Sequence, residues 1–174
     1  MASMELRDRN HPSIIMWSTG NEIMERDGRS EGYMYARKLA DFIRSLDNTR
    51  AITNALCGLW DDTAAKALKA KLGDLPEDYD IWGEVTKEFA EPLDVVGYNY
   101  LLRRYESDGA KFPGRIIHGT ESFPMEVFDI WTTIEHLPYV IGDFVWTALD
   151  YLGEAGIGHV WYNGENSFLG QYPW

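Results

Sequence analysis

Thiol chemistry is nearly absent from the 174-residue sequence, which contains one cysteine, Cys57. A single thiol can neither close a disulfide within the chain nor build a thiolate metal cluster. Long apolar runs are missing as well: stretches such as Ile14–Trp17 fall far short of the ~20 residues a membrane-spanning helix needs. Positive charge is scarce, with 16 Lys and Arg against 28 Asp and Glu for a net charge of −12. That balance argues against nucleic acid and against an anionic membrane surface as partners, and favours a neutral or polar small substrate. No basic-then-apolar opening marks a targeting segment, so the compartment stays unassigned. Met1-Ala2-Ser3-Met4 reads as an added leader ahead of a second methionine. Low-complexity stretches, linkers and Gly-rich phosphate loops are also missing.

What is present is the material of a core: 45% of residues are apolar and 14% aromatic. Short apolar runs alternate with longer amphipathic ones, the pattern of βα units and not of a sandwich or bundle. Five strands are predicted at Ile14–Ser18, Arg50–Leu56, Leu93–Tyr100, Arg115–Gly119 and Tyr139–Trp146, dense enough in Ile, Val and aromatics to be covered on both faces of a parallel sheet. Tyr33, Ala36, Leu39, Ala40 and Ile43 mark an apolar stripe along a crossover helix over Ser30–Leu46, which Asp47-Asn48-Thr49 ends. Further helices are predicted at Asp62–Leu72 and at Pro124–Leu137, the latter with Val127, Ile130, Trp131 and Ile134 on its buried side. Gly73–Pro92, acidic and broken by Pro76, reads as a long excursion, with the acidic residues of Asp74–Asp80 in a solvated loop. A closed (β/α)₈ barrel takes ~250 residues, and five of eight such units would need about the length found here. The predicted class is therefore α/β, a partial barrel of parallel strands and crossover helices.

Two glutamates follow predicted strands. Ile14-Ile15-Met16-Trp17-Ser18 runs on into Thr19-Gly20-Asn21-Glu22, and Arg115-Ile116-Ile117-His118-Gly119 runs on into Thr120-Glu121. The spacing between them amounts to three βα steps of about 33 residues, close to the size of the unit. Both carboxylates then emerge at the C-terminal face of one sheet, where parallel α/β barrels keep their chemistry. Converging carboxylates suit cleavage of a glycosidic bond, which needs a proton for the leaving oxygen and a negative group at the developing oxocarbenium carbon. Two carboxyl groups in different environments can supply both, with no cofactor and no metal.

Asp8-Arg9-Asn10-His11-Pro12-Ser13, three apolar residues, Trp17-Ser18 and then Asn21-Glu22 resemble the acid/base signature of glycoside hydrolase family 2, which includes β-galactosidases, β-glucuronidases and β-mannosidases. Thr120-Glu121-Ser122 resembles the family's nucleophile strand, and Gly142–Asp150 its eighth barrel strand. The resemblance implies a TIM barrel represented by strands four to eight, with residues 5–174 forming a truncated catalytic domain of about five βα units. It also implies that Glu22 is the general acid/base and Glu121 the nucleophile of a retaining double displacement, with carboxyl groups about 5–5.5 Å apart. Asn21 is similar to the family's partner for the sugar 2-hydroxyl, and Trp146 to its aromatic floor. Tyr100 matches the tyrosine beside the nucleophile, with Tyr98 an alternative two residues away. The implied partner is a β-linked carbohydrate.

Other residues keep more than one reading. His118 can face the barrel interior or sit as a hydrogen-bonded core residue. Trp161, Tyr162, Phe168, Tyr172 and Trp174 can line a cleft or be apolar surface. The alternative to an enzyme fragment is an inactive half-barrel that self-associates through open sheet edges, since parallel edge strands carry unpaired backbone groups.

Overall fold

In a computed structural model, residues 1–23 and 28–147 are described. The residues Ala148–Trp174, which include Trp161, Tyr162, Phe168, Tyr172, Trp174 and the end of the predicted eighth-strand motif, lie outside the described residues. The elements are α1 (Ala2–Asp8), β1 (Met16–Asn21), α2 (Ser30–Leu46), β2 (Ala51–Leu56), α3 (Thr63–Leu72), α4 (Ile81–Ala90), β3 (Val95–Asn99), α5 (Tyr105–Lys111), β4 (Ile117–Ser122), α6 (Val127–His136) and β5 (Val140–Val145). Short 3₁₀ turns at Leu102–Arg104 and Pro124–Glu126 precede α5 and α6. None of the described helices is long and apolar enough to cross a membrane.

The five strands form one sheet in the order β1-β2-β3-β4-β5, every neighbouring pair parallel. A doubly wound sheet would reverse its order partway, whereas consecutive order throughout is the arrangement of a barrel segment. Alternation along the strands puts Leu56, Val96, Tyr98 and Ile117 against Ala36 of α2 and Trp82 and Phe89 of α4 in the main core. A second cluster joins Trp17 of β1 and Ile52 of β2 to Ala40 and Ile43 of α2. The Trp17 indole N–H donates to Asp47 Oδ2 at 2.9 Å, and Thr49 donates to Asp47 Oδ1 through its amide (2.8 Å) and its hydroxyl (2.6 Å). Those bonds hold the Asp47 carboxyl well below the usual carboxylate range, and they turn the chain from α2 into β2.

Three parts of the sequence reading change. The excursion over Gly73–Pro92 contains α4, whose buried Trp82, Val85, Thr86, Phe89 and Ala90 recur at helical spacing. Its N-terminus is capped by Asp80, which accepts from the Gly83 amide at 2.9 Å and pairs with Arg104 and Lys111. Burial alone would raise the Asp80 carboxyl, but these partners outweigh it and bring it down to about 2. On α6, Ile130 is buried and Ile134 packs on the core, but Val127 and Trp131 are exposed, so the buried stripe is narrower than predicted. Two short helices, α1 and α5, were not expected.

Gly97 of β3 sits where no side chain fits. A Cβ there would stand 2.7 Å from the Asn54 carbonyl oxygen on β2 and 2.7 Å from Thr120 Cγ2 on β4. The backbone oxygen cannot step aside without opening the sheet, so Gly97→Ala should cost about 1–3 kcal/mol. Urea unfolding should show a lower midpoint at unchanged slope.

Candidate active site

The site forms where strands end. Glu22 follows β1 at φ 50° and Tyr100 follows β3 at φ 57°, and among the described residues these are the non-glycine positions with positive φ. Left-handed backbone costs a non-glycine residue about 1–2 kcal/mol, so something must hold each one there. The Glu22 amide donates to the Ala55 carbonyl of β2 at 2.9 Å, and the Tyr100 amide to the Glu121 carbonyl of β4 at 2.8 Å.

These two kinks break the strand alternation. Tyr98 and Tyr100 share a parity and would otherwise point to the same side. Instead Tyr98 is fully buried under the helices, its hydroxyl donating to Asp108 at 2.6 Å and accepting from Arg115 at 2.9 Å. Burial, joined by the negative charge of Asp108, pushes its phenol well above the usual range. Tyr100 turns the other way and donates its hydroxyl to Glu121 Oε2 at 2.9 Å. Of the two tyrosines, Tyr100 is the one beside Glu121.

Asn99 ties the rest together. Completely buried, it donates through Nδ2 to Glu22 Oε1 at 2.9 Å and to Asn21 Oδ1 at 3.0 Å, and it accepts from the Thr120 hydroxyl at 2.5 Å. With its amide nitrogen toward Glu22 Oε1 and Asn21 Oδ1 and its oxygen toward the Thr120 hydroxyl, every partner in the ring is matched donor to acceptor. Consecutive residues, Asn99 and Tyr100, thus hold the two glutamates, and Asn21, Glu22, Tyr100 and Glu121 are gathered at one end of the sheet. Trp146 joins through the backbone: its amide donates to the Ser122 carbonyl at 3.0 Å, and its indole is exposed.

Asn99, Thr120, Ser122 and Asp143 were not singled out from sequence. The Ser122 hydroxyl donates to Asp143 Oδ1 at 2.5 Å, so the residue after Glu121 is bound to β5 by both its side chain and its carbonyl. Burial pushes the Asp143 carboxyl up, against the pull of the Ser122 hydroxyl. His118, left between two readings by the sequence, is buried with its ring edge-on to Phe144 at 4.8 Å, and its Nδ1 has no hydrogen-bond partner. Burial lowers its pKa. Among the described residues no group of three or more His, Cys, Asp or Glu is placed to hold a metal ion.

A family model described as glycosyl hydrolases family 2, TIM barrel domain, matches residues 1–123. A β-galactosidase of Bacteroides ovatus is 26% identical, covering 86% of this chain and 24% of its own length. A β-glucuronidase of Paenibacillus borealis is 28% identical, covering 98% of this chain and 30% of its own. The chain thus spans less than a third of the curated relatives it matches. Among solved structures, a glycosyl hydrolase family 2 member from Bacteroides cellulosilyticus superimposes at a TM-score of 0.67 with 41% identity, over 84% of this chain and 17% of that one. A β-glucuronidase of Bacteroides uniformis superimposes at 0.58 with 17% identity over 83% of this chain and 20% of that one, a likeness of fold alone.

Proposed function

The chain belongs to glycoside hydrolase family 2, and from that membership we propose that it carries the carboxylate pair of a retaining β-glycosidase, with Glu22 as general acid/base and Glu121 as nucleophile. The observation that carries the reading is the Asn99-Tyr100 pair, which bonds one glutamate through each residue. Tyr100 occupies one oxygen of Glu121 and leaves the other for attack on the anomeric carbon. Asn99 likewise occupies Oε1 of Glu22 and leaves Oε2 for the leaving oxygen. In the first step the Glu121 carboxylate bonds to the anomeric carbon as the glycosidic C–O bond breaks and Glu22 gives its proton to the departing oxygen. In the second, Glu22 takes a proton from water as the water displaces Glu121, so two inversions return the β configuration.

Asn21 spends its Oδ1 on Asn99, which leaves its own amide N–H groups for the sugar 2-hydroxyl. Trp146 offers the sugar ring an apolar face. The substrates that follow from the relatives are β-galactosides and β-glucuronides, with β-mannosides the third possibility from the sequence signature.

The test is covalent trapping. A 2-deoxy-2-fluoro β-glycoside with a good leaving group slows the second step more than the first, so the glycosyl–enzyme accumulates. Incubation with galacto, glucurono and manno reagents should give one adduct by intact mass, mapped by peptide sequencing to Glu121 and absent from Glu121→Gln. A folded chain that takes no adduct from any reagent, or takes it elsewhere, overturns the assignment.

A further inference from the structure

β4 takes on an extra residue where it reaches the site. From Gly119 to Glu121 it makes two steps while β3 makes one, from Tyr98 to Asn99. Against β5 the same excess recurs, three steps from Gly119 to Ser122 facing two from Asp143 to Val145. Such a bulge reverses the face that later side chains take. Ile117 and Glu121 share a parity, so regular alternation would send both toward the helices. Ile117 does pack in the main core, but Glu121 is turned to the site and meets Tyr100. The rear face is taken instead by Ser122, which is 3% exposed and bonded to Asp143.

Asp143 is set on that rear face by its neighbours. It pairs with Gly119, and its carboxyl fills the space that a side chain at Gly119 would need. A Cβ there would stand 2.0 Å from Asp143 Oδ1 and 2.7 Å from the hydroxyl of Tyr105, a core residue of α5. The adjacent residues His118 and Phe144 meet on the opposite face, as alternation requires, with ring centroids 4.8 Å apart. From its place Asp143 Oδ1 accepts the Ser122 hydroxyl at 2.5 Å, and the Trp146 amide donates to the Ser122 carbonyl at 3.0 Å. On the other flank the Thr120 hydroxyl donates to Asn99 at 2.5 Å. Both chain neighbours of Glu121 are thus tied by their side chains to adjoining strands, Thr120 to β3 and Ser122 to β5.

We infer that Asp143 is a positioning residue for the chemistry at Glu121: by holding the Ser122 side chain behind the sheet it keeps the bulge in β4, and the bulge keeps the Glu121 carboxylate in front. The inference rests on the reading of Glu121 as nucleophile given above. What Asp143 contributes is an acceptor, since a single oxygen takes the bond.

The test compares Asp143→Ala, Ser122→Ala, their double variant and Asp143→Asn, and it has two readouts. The first is the rate at which the 2-fluoro reagent labels Glu121. With the bond gone the bulge loses its side-chain hold on β5, and a misplacement of about 1 Å can cost about 10²-fold, so labelling at saturating reagent should fall by about 10–100-fold in either alanine variant. The reagent concentration giving half the maximal rate should not change. Because the two residues act through one bond, the double variant should lose no more than either single one. Asp143→Asn keeps an oxygen for Ser122 and should label close to the parental rate. The second readout is native-state hydrogen exchange, which needs no chemistry at Glu121. The amides of Tyr100 and Trp146, which donate to the Glu121 and Ser122 carbonyls, should exchange faster in the alanine variants. Those of Val96 and Ile117, which donate to Ile116 and Tyr139 before the bulge, should keep parental protection. Labelling at the parental rate, additive losses in the double variant, an asparagine variant as slow as the alanine, or exchange that quickens equally at all four amides overturns the inference. A parent that takes no adduct removes the nucleophile reading, and the exchange pattern then decides by itself whether Asp143 holds the bulge.

Discussion

Glu22→Gln is expected to slow hydrolysis of a β-linked disaccharide by about 10²–10⁴-fold, the range a positioned general acid contributes. A nitrophenyl glycoside should lose far less in its first step, because nitrophenolate departs without a proton. The variant is conservative in structure. Asn99 donates to Glu22 Oε1, and a glutamine oxygen in that place still accepts, so the buried amide keeps its partners. Glu121→Gln should behave differently, since it removes the attacking group and both substrates then suffer alike. The two variants are separated by measuring kcat/KM for both substrates side by side. Azide adds a further distinction: it attacks the glycosyl–enzyme without a general base, so it should restore turnover to Glu22→Gln and yield a β-glycosyl azide, and do nothing for Glu121→Gln. Equal losses on both substrates for Glu22→Gln, or no loss, would remove Glu22 from the acid/base role.

The sequence carried the five strands because their middles are runs of Ile, Val and aromatic residues, and a parallel sheet with helices follows from that pattern. It stopped two of them, β1 and β4, too early. β1 continues to Asn21 and β4 to Ser122, whereas the apolar pattern stops at Ser18 and Gly119. Apart from Gly20 the added residues are polar, and polarity is what a hydrophobic-periodicity reading takes as a loop. Asn99 lies inside the third strand both as predicted and as found, but its position in a strand says nothing of its partners. Its burial among Asn21, Glu22 and Thr120 depends on contacts 21 to 78 residues away, which no local pattern records. Acidity hid α4 as well: Asp80 looked like part of a solvated loop, but it caps that helix and pairs with Arg104 and Lys111 from beyond β3.

The buried charge network behind Tyr100 should be a main support of the fold at this end of the sheet. Asp108 on α5 is completely buried and accepts from the Tyr98 hydroxyl at 2.6 Å and from Arg104 Nη2 and Nε at 2.7 and 3.1 Å, with Arg115 at 3.9 Å. Asp108→Ala leaves two guanidinium groups and a buried phenol facing a gap, and losing one partner of such a network costs about 3–5 kcal/mol. Arg104 keeps Asp80, which places the expected loss toward the lower part of that range. Asp108→Asn keeps one oxygen, which in the Oδ2 place still accepts from Tyr98 and Arg104 Nε while its NH2 loses the bond from Arg104 Nη2, so it should cost less than the alanine but more than nothing. The network also clamps both flanks of Tyr100, Tyr98 on one side and Arg104 on the other, and Tyr100 holds a left-handed backbone that needs such support. A fall in the urea midpoint of Asp108→Ala should therefore come with slower trapping at Glu121 under conditions where the variant is still folded. A variant that unfolds earlier yet traps at the parental rate would show that the network steadies the helices without positioning Tyr100.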